Sequence, residues 1–127
     1  VRSFGLTGRQ AESVLRECGI TLNRNSLPND PNGPWYTSGL RVGTPAVTTL
    51  GMGVEEMKEI ASILNFVLSH TSAETIQEGK NAGKQSKAKY RIGQDIQQQA
   101  GQRVHRLLER YPVYPQLDLG TLQACFG

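Results

Sequence analysis

The sequence holds only two cysteines, Cys18 and Cys125, near opposite ends of the chain. That placement supplies neither a disulfide framework nor a Cys-x-x-Cys ligand pair, which fits a reducing compartment and makes the cytoplasm the expected location. Neither cysteine has a base motif beside it, so Cys18 reads as a packing residue and Cys125 as a bystander rather than nucleophiles. Histidine is as scarce: His70 and His105 are the whole supply. Only Glu109, four residues after His105, stands at helical ligand spacing, so no metal site is expected. Apolar runs last a few residues, against the roughly 18 to 20 that cross a bilayer. The opening Val1-Arg2-Ser3-Phe4 has no signal-peptide pattern. Neither a membrane nor a secretory class is favoured.

At 127 residues the chain matches one domain. Hydrophobic residues make up 37%, and with 14 glycines the apolar share is ordinary for a folded chain. The formal charge of +3 is unevenly placed. Residues 80–91 carry Lys80, Lys84, Lys87, Lys89 and Arg91 with no acid, leaving the rest slightly acidic.

The pattern along the chain predicts a small α/β sandwich, two or three strands with helices packed on one face. Val1 to Phe4 reads as the end of a strand entered midway, with no initiator Met, as in a fragment. Thr7 and Gln10 form a capping box, and Ala11, Val14, Leu15 and Cys18 recur at helical spacing up to Gly19, predicting a helix over 8–18. Ile20-Thr21-Leu22 is a β-rich run. A loop follows over 23–37, long enough to suggest function. Residues 38–44 read as a strand with Leu40 and Val42 on one face and Arg41 on the other, between Gly39 and Gly43. Val54, Met57, Ile60, Ala61, Leu64, Val67 and Leu68 predict a second helix over 53–69. Residues 71–91 read as a linker or weak helix. Ile92, Ile96, Ala100, Val104, Leu107, Leu108 and Tyr111 predict a third over 92–111, stopped by Pro112. The organisation expected is one domain over 1–115, with a basic insertion at 72–91, and a tail at 116–127.

The long loop and Gly39-Leu40-Arg41-Val42-Gly43 are the features that look like a site. The run Gly19-Ile20-Thr21-Leu22-Asn23-Arg24-Asn25-Ser26-Leu27-Pro28-Asn29-Asp30-Pro31, with Thr37-Ser38-Gly39-Leu40-Arg41-Val42-Gly43-Thr44-Pro45-Ala46, closely resembles the C-terminal domain of serine hydroxymethyltransferase. Leu6-Thr7-Gly8 and Arg110-Tyr111-Pro112-Val113-Tyr114 look like the same family. The resemblance covers about 6–70 and 92–115.

It implies the small C-terminal domain of a fold-type I pyridoxal-phosphate enzyme, with a short, mainly antiparallel sheet. Such an enzyme reversibly converts serine and tetrahydrofolate to glycine and 5,10-methylenetetrahydrofolate, usually as a homodimer or tetramer. Arg41 matches the substrate-carboxylate arginine, a role that suits a planar guanidinium able to hold a carboxylate bidentately. Read from the residue alone, a solvated strand arginine is the preferred reading, since most arginines are exposed. Asn25 matches a folate-contacting asparagine, and Gly33-Pro34-Trp35 falls where the family usually has Ser-Pro-Phe beside the folate. Gly33 lacks that hydroxyl, so backbone contacts carry over there more safely than side-chain ones. Asn29 and Asp30 also fit plain turn chemistry. Leu50 replaces a common Arg, with no functional account.

The resemblance places the cofactor lysine in a Thr-rich His-Lys segment, and no such segment occurs in these 127 residues. The chain alone is therefore expected to be inactive, with a large cofactor domain lying elsewhere. The alternative is a free-standing polyanion or nucleic-acid binding module using residues 80–91. One aromatic in that stretch, Tyr90, is too few for a stacking platform. A solvated insertion is the preferred reading, with no nucleic-acid partner.

Overall fold

The computed structural model describes residues 1–115 and Gly120. The expected tail at 116–127, Gly120 apart, and Cys125 lie outside the described residues. Helix α1 spans Gly8–Glu17 and starts where the capping box predicts. The Thr7 hydroxyl accepts from the Gln10 amide at 3.2 Å, and the Gln10 side-chain oxygen accepts from the Thr7 amide at 2.9 Å. Such a cap contributes about 1 kcal/mol by satisfying helix-end donors. Its apolar stripe, Ala11, Val14, Leu15 and Cys18, is the centre of the core.

Strands β1 (Asn23–Asn25) and β2 (Gly39–Arg41) form an antiparallel ladder in the register Asn23↔Arg41, Arg24↔Leu40, Asn25↔Gly39. Between them lies α2 (Gly33–Tyr36), and after them α3 (Pro45–Thr49). Helix α4 (Val54–Ser69) buries Ile63, Val67 and Leu68, and α5 (Gln94–Arg110) buries Ala100 and Leu107. The two helices are clamped across their partly exposed edge by Arg103, which donates to both oxygens of Glu59 at 2.8 and 2.9 Å. Each of Ile63, Val67, Leu68 and Leu107 taken out of water contributes about 1.5 to 3 kcal/mol.

Four local expectations need correction. Residues 2–4 form a short 3-10 turn (Arg2–Phe4) closed by Gly5 in the left-handed region, not a strand end. The strand lies at 23–25 rather than at Ile20-Thr21-Leu22; Leu22 is buried in the core, while polar residues pair with β2. The strand expected over 38–44 shrinks to Gly39–Arg41, and Val42, beyond its end, is 52% exposed.

Most changed is 71–91. It is a hairpin of β3 (Thr71–Thr75) and β4 (Gln85–Ile92), antiparallel, with Gly79 and Gly83 at positive φ in the connection. In β4, Ser86, Ala88, Tyr90 and Ile92 turn inward while Lys87, Lys89 and Arg91 turn out. The hairpin is stitched to α1. The Gln10 side-chain amide donates to the carbonyls of Ser86 and Lys89 at 2.7 and 2.8 Å, and the Thr7 hydroxyl to that of Lys87 at 2.7 Å. Gln10 is fully buried, and these bonds with its own cap leave both ends of its amide partnered.

Candidate functional site

The β1–β2 ladder sorts its side chains by alternation. Arg24 and Leu40, opposite one another, are half-buried toward α1, where Arg24 donates to Glu12 at 2.9 Å. Asn23, Asn25 and Arg41 are exposed and belong to the other face. That face is where two of the site residues expected from sequence meet: Arg41 stands opposite Asn23, two positions along β1 from Asn25.

The Arg41 guanidinium makes one long contact, Nη2 to the Asn23 side-chain oxygen at 3.5 Å. Among the described residues it has no carboxylate partner, so its paired N–H donors are open to an incoming anion. Asn25 is exposed, and its side-chain amide donates to the Ser26 carbonyl at 2.9 Å. Bare backbone at Gly39 is needed on the same face. A Cβ there would sit 2.8 Å from the Asn25 carbonyl and 2.7 Å from a Leu27 methyl.

Gly33 and Pro34 start α2 at the loop apex, Gly33 at φ +69°. Trp35, 61% exposed, does not join the Asn25–Arg41 face. Its ring meets guanidinium groups from the helix side, Arg24 at 5.2 Å and Arg9 of α1 at 5.5 Å, and Tyr36 is flanked by Arg9 and Lys87 at 5.9 and 5.8 Å. Sequence spacing alone gives no sign of this cation–aromatic strip, because it brings together α1, β1, α2 and β4.

The residue whose structural part sequence reasoning missed is Asp30. Its carboxylate accepts from the amides of Leu27 (3.1 Å), Asn32 (3.0 Å) and Ser38 (2.7 Å), and from the Ser38 hydroxyl at 2.6 Å. These donors, the Ser38 hydroxyl first, hold its pKa down to about 2 from the ordinary 3.8. Because the folded value is the lower one, the stabilisation is complete above 3.8 and lost as pH falls through about 2. In thermal melts between those pH values, the wild type should lose stability more steeply than Asp30→Asn. Equal slopes would show that the carboxylate contributes nothing to folding.

Elsewhere the chemistry is bland. An apolar cavity of about 190 Å³ lies between residues 19–22, the 42–47 segment and helices α4 and α5, with no titratable side chain in its wall. Cys18 is buried, and desolvation, with Glu17 beside it, pushes its thiol pKa up, away from nucleophilic use. The described residues do not fit a pyridoxal phosphate site. Lys58 is ion-paired with Glu55 at 2.7 Å on an exposed turn of α4, and Lys80, Lys84, Lys87 and Lys89 are exposed on the hairpin.

Fold and face together define a small α/β domain that offers, from one strand ladder, a neighbouring amide and an arginine without a carboxylate partner among the described residues. The family model described as serine hydroxymethyltransferase matches residues 1–64. Curated relatives of that name are 53% identical over 126 residues in Treponema pallidum (strain Nichols), 48% over 120 in Salinispora tropica and 48% over 120 in Chlamydia muridarum. The alignments cover 99%, 94% and 94% of this chain. The chain belongs to the serine hydroxymethyltransferase family. It spans about a fifth to a quarter of the length of these relatives, 21%, 24% and 23% respectively.

Proposed function

We propose that the chain is the substrate-orienting C-terminal part of a serine hydroxymethyltransferase that converts serine and tetrahydrofolate to glycine and 5,10-methylenetetrahydrofolate, and back. The observation that carries this is the exposed Arg41 guanidinium, without a carboxylate partner among the described residues, on the same face of the ladder as Asn25. Arg41 takes the amino-acid carboxylate in a paired, charge-assisted contact that fixes how the substrate is turned. Asn25 and the backbone of Gly33, Pro34 and Trp35 take the folate, the Asn25 amide being able both to donate to and to accept from a pterin edge. Pyridoxal phosphate is held by another part of the enzyme, and no step of the chemistry runs through this chain's lysines. Family membership and the cysteine usage support a homodimer or tetramer working in the cytoplasm in one-carbon metabolism.

The test compares two lengths of protein. A longer enzyme carrying this chain should convert serine only when tetrahydrofolate is supplied. The 127-residue chain should show no serine–glycine interconversion and no borohydride-reducible cofactor adduct. A stoichiometric adduct on one of its five lysines, or a longer enzyme indifferent to tetrahydrofolate, would overturn the reading.

A further inference from the structure

The ends of the 27–38 loop are drawn together by one side chain. Through its two oxygens Asp30 holds Leu27 on the β1 side, Asn32 before the apex and Ser38 on the β2 side. Ser38 is fully buried, and its hydroxyl also accepts from the Asn32 side chain at 3.0 Å, so the neck is a closed network. The apex, Gly33–Tyr36, hangs from this neck. Ser38 leads directly into Gly39, which faces Asn25 across the ladder. Arg41 is placed differently, by its pairing with Asn23 at the far end of the same ladder.

We propose that Asp30 is a positioning residue for the folate side of the site: its carboxylate sets where the 33–35 backbone stands relative to Asn25, without touching the ligand. This inference rests on the reading of Asn25 and the 33–35 backbone as the folate contacts. The geometry needs a carboxylate. An asparagine has one acceptor oxygen and would turn N–H groups toward backbone donors, so donors now satisfied would be left facing donors. Because Arg41 is fixed through the ladder, the fault should reach folate and largely spare serine. A residue that served stability alone would show no such division.

The experiment measures tetrahydrofolate and serine dissociation constants separately in the longer enzyme, for wild type, Asp30→Asn, Ser38→Ala and Asn25→Ala. Asp30→Asn should weaken tetrahydrofolate by about tenfold or more and serine by less than about threefold. Ser38→Ala removes only the hydroxyl of the network and should weaken tetrahydrofolate by roughly threefold, again with serine spared. If Asn25→Ala weakens tetrahydrofolate but Asp30→Asn leaves it within about twofold, or weakens both ligands equally, Asp30 has no positioning role. If Asn25→Ala itself leaves tetrahydrofolate binding unchanged, the folate reading falls and the inference with it. Should Asp30→Asn fail to fold, Ser38→Ala decides: a loss confined to tetrahydrofolate upholds the inference, and no loss, or an equal loss of both ligands, ends it.

Discussion

Arg41→Lys, made in the longer enzyme, should lower kcat/KM for serine by roughly tenfold to a hundredfold while leaving the fold unchanged. The charge survives the substitution; the planar pair of donors does not. A single charge-assisted hydrogen bond is worth about 1.5 to 3 kcal/mol, and an ammonium can replace one such bond but cannot fix the rotation of the carboxylate. The structure makes this a clean exchange. Arg41 is exposed at a strand end and has one long bond to Asn23, so little native packing is lost with it. Circular dichroism and melting should therefore match the wild type within about 0.5 kcal/mol, as for other exposed positions. Retention of more than about half the wild-type kcat/KM would mean that no oriented carboxylate contact is made.

How far the sequence shows this site depends on the distance over which each feature is decided. Helix α1 is legible because its cap and stripe are local: Thr7, Gln10 and the Ala11-Val14-Leu15 spacing suffice. Helices α4 and α5 follow their apolar periods, and the Pro112 stop falls two residues after α5 ends. Strand β1 is not legible, since Asn-Arg-Asn has no β-propensity and exists as a strand through its partner Gly39–Arg41. The hairpin carried a local signal that glycines and lysines obscured: Ser86, Ala88, Tyr90 and Ile92 alternate with outward residues at a period of two. Arg41 and Asn25 are visible through the family resemblance, but not that they share an open face while the Trp35 ring turns toward Arg9 and Arg24. Asp30 looks like one more turn former until Ser38, eight residues on, brings it two of its four donors.

Gly8→Ala should destabilise the chain by about 1 to 3 kcal/mol, although alanine is the better helix former by roughly 1 kcal/mol. Gly8 opens α1 at the point where the helix meets the site's own backbone. Its amide donates to the Thr37 carbonyl at 3.0 Å. A Cβ there would stand 2.7 Å from the Gly39 carbonyl oxygen and 3.2 Å from the Arg24 Cβ, and would run into the Thr37 hydroxyl. None of these can easily give way. Gly39 is ladder backbone, and Thr37 is buried at 3% exposure with φ already at +56°, a conformation with little slack for a threonine. The methyl must therefore push the start of α1 off the β1–β2 ladder. Gly101→Ala is the matched control, because it lies inside α5 with nothing within 4 Å of the added Cβ. There the same substitution should stabilise by about 0.5 to 1 kcal/mol. Thermal unfolding of the two variants should move in opposite directions, by roughly 4 °C per kcal/mol in a chain of this size. If Gly8→Ala melts at or above the wild-type temperature, α1 does not sit against the ladder as described, and the helix-covered side of the site has been assigned wrongly.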